Sequence, residues 1–189
     1  MEELLILVNE NDEVIGFEEK METHIKEKLH RAFSLFIFDK DNEKMLIHKR
    51  ADGKYHSGGL WTNSCCSHPR KGEDLQTAIV RRTKQELGLD LIEKQLILDA
   101  TGSYEQGLHE LESFKYYKKF VGCAEYEIDH VFYLPLNSND IKLAVDKDEI
   151  SKVMWLSVEE LKMWFDSEPE KFTSWFPKAL EIVLEKVFA

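Results

Sequence analysis

The densest chemistry in this sequence lies in Trp61-Thr-Asn-Ser-Cys-Cys-Ser-His-Pro69, where two adjacent thiols are followed closely by an imidazole. On an extended segment, residues two apart point to the same side. Cys66 and His68 can therefore share one pocket, with Cys65 directed the other way. Pro69 supports that reading, because the residue before a proline is biased toward extended backbone. A thiol beside an imidazole is suited to proton transfer or metal ligation. The ordinary alternative is that the cysteines are small buried hydrophobes.

A second cluster is Ala124-Glu125-Tyr-Glu127-Ile-Asp-His-Val131. On a strand Glu125 and Glu127 share a face. A half-exposed strand would simply turn both to water, but the apolar run that follows marks a central strand. Two inward carboxylates need a cation. Histidines could complete its ligand set, with His24, His30 and His68 as candidates. His24 and His30 are six residues apart, so they meet only if the chain bends between them. His48, His56, His109 and His130 have no comparable company and read as surface or core residues.

A helix is predicted over residues 73–87. At 100° per residue, Leu75, Ile79 and Glu86 fall within about 40° of one another. A carboxylate on the buried face either pairs with Arg82, one turn earlier, or meets a metal. The basic residues Lys20, Lys49, Arg50, Lys54, Arg70 and Lys71 cluster around the cysteine segment. Such clustering suits a phosphate group, with Arg able to contact it bidentately; taken singly, each is an ordinary solvated cation.

Several elements must position these groups. Leu4–Val8 and Val14–Phe17 flank an Asn-rich turn and read as a hairpin. Ala32–Phe38 and Met45–His48 suggest a second hairpin, and residues 51–59 form a loop with three glycines. Ile128–Leu134 and Lys152–Leu156 are strand-like. Ser157-Val-Glu-Glu160 is a capping box opening a short helix, and Thr173 onward reads as a final amphipathic helix. The pattern is α+β, a mixed central sheet flanked by helices.

A chain of 189 residues, 43% hydrophobic and 32% charged, fits one domain over residues 1–189 with an adequate core. The acidic start reads as a first strand and not as a signal peptide. No run approaches the roughly 20 apolar residues of a membrane span. Three cysteines without a framework suggest a reducing cytoplasm. A formal charge of −11 argues against nucleic acid, although local Lys and Arg can still attract a small anion.

Together the motifs resemble those of the type I isopentenyl-diphosphate isomerases. Trp61–Pro69 is similar to that family's cysteine signature, Glu125-Tyr-Glu127-Ile-Asp129 to its glutamate signature, and His30-Arg-Ala-Phe-Ser34 to its first core strand, in the family's order from residue 4 to Trp175. The resemblance implies a Nudix-like fold, Cys66 and Glu127 as catalytic residues, and a divalent metal (Mn²⁺, Zn²⁺ or Mg²⁺) on His24, His30, His68, Glu125 and Glu127. It also implies Glu86 beside a Mg²⁺ that accompanies the substrate diphosphate, and contacts to that diphosphate from Lys20, Arg50, Lys54 and Ser67. Tyr116 would support catalysis, and Trp175 would face the hydrocarbon. The expected partner is a small isoprenoid diphosphate, with the protein a monomer or weak dimer.

The helix also resembles the Nudix box of diphosphate-cleaving enzymes. Glu73, Arg81, Glu86, Gly88 and Leu89 are in register, whereas Ser67, Arg82 and Gln85 replace the first glycine and two acidic residues. That substitution pattern opposes a rival reading as a Nudix hydrolase. A purely metal-binding module is a second rival, and it leaves the basic cluster and Trp175 without a role. Two departures from the isomerase pattern stand out: Tyr55-His-Ser-Gly-Gly59 lacks an aromatic-Pro-Gly, and the His24–His30 spacing is short.

Overall fold

The computed structural model describes residues 3–97 and 103–189. Its organising strand is β3 (His30–Asp39), whose alternation divides the core in two. Phe33, Leu35 and Ile37 point toward helix α2 (Leu75–Arg82), joining Ile79 and Leu87. Phe36 points the opposite way and packs with Phe176, Leu180 and Val183 of helix α4 (Phe176–Val187). Period-two side-chain direction thus makes one strand the floor of two apolar layers.

Along one edge β3 pairs in parallel with β8 (Ala124–Leu136), from His30 opposite Glu127 to Asp39 opposite Leu136. Its other edge is shared. It meets β1 (Leu4–Val8) at His30, β6 (Cys65–Ser67) at residues 33–35, and β4 (Lys44–Arg50) at Phe38 and Asp39. Strands β2 (Val14–Glu19), β5 (Trp61–Thr62), β7 (His109–Lys119) and β9 (Ile150–Leu156) complete a mixed sheet of nine strands among the described residues. Helix α3 (Val158–Ser167) opens on the expected Ser157/Glu160 capping box. No helix is long and apolar enough to cross a membrane.

Two elements are not evident in the sequence pattern. Helix α1 (Lys20–Ile25) is a six-residue helix with Glu19 accepting from the Glu22 amide at its start. Strand β7 is an edge strand whose register shifts between Glu110 and Glu112, so its inward residues lose the period-two pattern that marks a strand.

Helix α2 also departs from the expected single α-helix. It ends at Arg82, and Thr83–Leu87 forms one wider π-turn. The Thr83 hydroxyl donates to the carbonyls of Ile79 and Val80, at 2.9 and 3.1 Å, inside the widened turn. The turn buries Glu86 and Leu87 side by side, while Leu75, expected on the same face, is only partly buried. Gly88 closes it in the left-handed region, at φ 65°. A Cβ there would lie 2.5 Å from the Ala144 carbonyl oxygen.

Gly88→Ala therefore meets both a conformational penalty and a backbone clash. It should cost about 2 kcal/mol or more of stability. A lower denaturation midpoint at unchanged slope would be the signature, and an unchanged midpoint would refute this account of the turn.

Candidate active site and metal centre

Strand pairing brings the site together on the α4 face of the sheet. In the register of β3 and β8, His30 stands opposite Glu127 and Ala32 opposite Asp129, so all share one face. Across the other edge Ser34 pairs with Cys66, whereas Leu35 pairs with Cys65. Cys66 thus faces the site, and Cys65 is sunk among Leu35, Ile79 and Leu87, donating to Glu86 at 3.6 Å. His24 arrives from α1. The chain bends after that helix, with Glu27 in the left-handed region at φ 53°, and the bend brings the His24 and His30 rings to 4.8 Å.

One donor atom from each of His24, His30, His68, Glu125 and Glu127 lies within 4.8 Å of all the others, and all five residues are buried. Backbone carbonyls fix two of the rings. Nδ1 of His24 lies 2.6 Å from the Lys20 oxygen and Nδ1 of His30 lies 2.8 Å from the Lys28 oxygen. A carbonyl only accepts, so both Nδ1 atoms carry a proton, and both Nε2 atoms face the carboxylates. His24 Nε2 is 3.4 Å from Glu125, and His68 Nε2 is 2.7 Å from Glu127.

Burial pushes the Glu127 carboxyl well above the usual range, and the neighbouring Glu125 charge adds to the effect. Burial acts on Glu125 in the same sense, but the His24 and His56 imidazoles beside it outweigh it and hold that carboxyl well below the usual range. Burial also takes the His30 imidazole down to about 4. Buried and unpartnered atoms remain at His30 Nε2, His68 Nδ1 and Glu125 Oε2. With His30 Nε2 and Glu125 Oε2 unpartnered, and imidazole nitrogens and carboxylate oxygens converging at this spacing, the five residues form a donor set that a divalent cation fits.

The rest of the pocket has two ends. At the polar end lie Lys20, Lys54, Ser67 and Arg82, with Arg50 along the wall. Arg82 pairs with Glu86, as expected of a carboxylate on the buried face, and is 3.6 Å from Glu149, which also holds Lys54. Glu86 therefore stands in the pocket wall apart from the five clustered residues. At the apolar end Trp175, 5% exposed, donates to Asn63 Oδ1 at 3.3 Å. Arg50 lies over its ring at 5.5 Å and Tyr116 stands edge-on to it at 6.2 Å. Burial raises the Cys66 thiol to about 12 against the opposing charge of Arg50, so the thiol is protonated at neutral pH.

Four pocket residues are not marked as site residues by the sequence pattern. Asp129 shares the face of Glu125 and Glu127 and accepts from Ser34 at 2.8 Å, a position that i, i+2, i+4 spacing could have flagged. Arg82 and Glu149 line the polar end. The fourth, His56, is a correction: expected to lack company, it contacts Glu125 through Nε2 and stacks on Phe120. His130 is likewise not isolated, lying 2.6 Å from Glu110 and 3.0 Å from Asp12 on the other face of β8. His48 is a core residue bonded to the Ser64 carbonyl, as expected.

Residues 28–176 match the NUDIX domain model. The chain is 37% identical to the isopentenyl-diphosphate Delta-isomerase 2 of Aromatoleum aromaticum, over 97% of this chain and 88% of that one. It is 39% identical to the protein of the same name from Photorhabdus laumondii, over 95% and 92% of the two chains. A crystal structure from Deinococcus radiodurans shares the fold at TM-score 0.68 and 19% identity, covering 95% of this chain and 98% of that one.

Removing one donor should weaken the centre without unfolding a domain whose core lies elsewhere. His68→Ala and Glu125→Ala are each expected to lower Mn²⁺ affinity by roughly tenfold or more, with cooperative thermal unfolding retained. Undiminished Mn²⁺ binding in both variants would show that the donor set is wrong.

Proposed function

This chain belongs to the Nudix family and, within it, to the isopentenyl-diphosphate isomerases, and we propose that its pocket interconverts isopentenyl and dimethylallyl diphosphate by adding and removing protons on opposite sides of the alkene. The observation that carries this reading is the joint placement of Cys66, Glu127 and Trp175 in one pocket whose other end is cationic.

Moving the double bond requires a proton at the terminal methylene carbon and loss of another two carbons away. An unactivated alkene is a weak base, so protonation leads to a state close to a tertiary carbocation. An acid, a base and electron density for the cation are then the essentials. Burial raises both the Cys66 thiol and the Glu127 carboxyl above their ordinary ranges, so either can hold the proton that is given while the other, ionised, takes the second. Tyr116 pairs across the sheet with Glu127 and stands edge-on to Trp175 at 6.2 Å. Trp175 presents an indole that can stabilise developing positive charge, an effect worth about 2 kcal/mol in a dry pocket.

Lys20, Arg50, Lys54, Ser67 and Arg82 would bind the diphosphate and fix which end of the molecule lies deepest. A Mg²⁺ brought with that diphosphate would meet Glu86. A resident divalent cation, for which Mn²⁺, Zn²⁺ and Mg²⁺ all suit the donors, would be held by His24, His30, His68, Glu125 and Glu127, and supplies charge that offsets the carboxylates and eases proton loss from Glu127. The free thiols Cys65, Cys66 and Cys123 suit a reducing cytoplasm.

Diphosphate hydrolysis is less well supported. Both Glu73 oxygens accept from Arg81, at 2.7 and 2.8 Å, and one also accepts from the Arg70 amide. This glutamate is thus committed to bracing the helix, and Arg81 extends the brace to the His68 carbonyl at 3.2 Å.

Incubating the protein with isopentenyl diphosphate and following it by NMR tests the reading: dimethylallyl diphosphate is expected, and free phosphate would overturn it. Cys66→Ala should abolish turnover while Cys65→Ala retains most of it; equal loss in two folded variants would refute the thiol assignment. Trp175→Leu keeps an apolar wall but removes the π face. Its kcat should fall at least tenfold, about 1.4 kcal/mol, with little change in KM. A normal kcat in folded protein would leave Trp175 as a mere anchor of α4.

A further inference from the structure

The loop between β4 and β5 turns back on itself so tightly that one of its positions tolerates only glycine. A Cβ on Gly58 would lie 2.6 Å from the Asp52 carbonyl oxygen. Ser57 and Gly59 both take left-handed backbone, at φ 52° and 74°. The Arg50 and Leu60 backbones close the base of the loop at 2.9 Å. This fold-back drives His56 inward until it is 7% exposed.

The buried ring is gripped on several sides. Phe120, in the turn joining β7 to β8, stacks on it at 4.7 Å and 21°. Tyr55 meets it edge-on at 4.5 Å. Its Nε2 contacts Oε1 of Glu125, and its Nδ1 is 3.2 Å from the Ser57 hydroxyl. A carboxylate only accepts, so Nε2 carries the proton, and Nδ1 can accept from Ser57. A ring protonated at Nε2 and directed at a carboxylate oxygen offers no lone pair to the centre there. His56 also lies outside the five residues whose donor atoms converge within 4.8 Å of one another.

The consequence falls on Glu125, whose two oxygens become unlike. Oε1 is engaged by His56, while Oε2 is buried without a hydrogen bond, 3.4 Å from His24 Nε2 and 4.0 Å from His68 Nε2. We propose that His56 is a positioning residue: by donating to Oε1 it locks the Glu125 carboxylate so that Oε2 is presented to the three histidines as a metal donor. In doing so it ties the glycine-rich loop, and through Phe120 the β7–β8 turn, to the centre. This inference rests on the reading of the cluster as a divalent-metal centre.

The test compares Mn²⁺ affinity of metal-stripped protein by titration, with no isomerase turnover involved. His56→Phe keeps a flat ring against Phe120 but has no donor. His56→Gln gives up the ring but can place an amide N–H near the position of Nε2. His56→Phe should weaken Mn²⁺ binding about tenfold or more, and His56→Gln should remain within about threefold of wild type, as expected for a group that orients a ligand. His56→Leu, a second variant without a donor, should behave as His56→Phe and covers the case in which the latter misfolds. Mn²⁺ affinity in His56→Phe and His56→Leu within about threefold of wild type, or an equal loss in all three variants, would overturn the proposal.

A parallel assay of the wild type with isopentenyl diphosphate separates the two readings. A wild type that binds Mn²⁺ but leaves that substrate unchanged refutes the isomerase reading and leaves the His56 comparison valid. A wild type that turns it over while His56→Phe binds Mn²⁺ normally refutes only the role of His56.

Discussion

Two carboxylates sit side by side on the buried face of β8, and much of the pocket follows from the difficulty of keeping them there. With donor atoms within 4.8 Å, two full negative charges would repel by roughly 3–4 kcal/mol at an effective dielectric near 20. That is a sizeable share of the roughly 5–15 kcal/mol that stabilises a typical domain. The molecule answers by making the pair unequal. Glu125, beside the His24 and His56 imidazoles, is held well below the usual carboxylate range, whereas burial and the Glu125 charge push Glu127 well above it. The same asymmetry provides a stable anionic ligand beside a group that can exchange a proton. Three imidazoles, two with their tautomers set by backbone carbonyls, complete a donor set that welcomes a cation.

The sheet makes this arrangement possible because β3 and β8 run in parallel and in register at the point where chemistry is needed. Pairing His30 with Glu127 and Ser34 with Cys66 gathers three segments, far apart in sequence, onto one surface. The opposite surface of β3 belongs to the apolar layer under α2, which explains why Cys65 and Cys66 have such different surroundings. The Nudix-like helix is put to structural use: the Glu73–Arg81 pair reaches the His68 carbonyl, so a segment associated elsewhere with diphosphate cleavage here steadies a ligand.

Much of this is legible in the amino-acid sequence. The Glu125/Glu127 spacing, the alternation through Cys65 and Cys66, and the capping box at Ser157 are local patterns that strand or helix geometry translates directly. What stays hidden is non-local or masked by irregularity. The β7 bulge erases its period, and the π-turn after α2 alters the phase that sets the position of Glu86. His56 carries no sequence signal at all. Its contact with Glu125 depends on a loop fold-back and on Phe120, more than sixty positions away in the chain. The bend between His24 and His30, by contrast, follows as a requirement from their spacing, and the end of α1 supplies it.

The most direct test of the central claim is the location of bound metal. Crystals grown with Mn²⁺ should show an anomalous difference peak enclosed by His24, His30, His68, Glu125 and Glu127, with Oε2 of Glu125 and not Oε1 turned toward it. Fully active protein whose crystals place Mn²⁺ elsewhere, leaving these five side chains bonded only to one another, would contradict it.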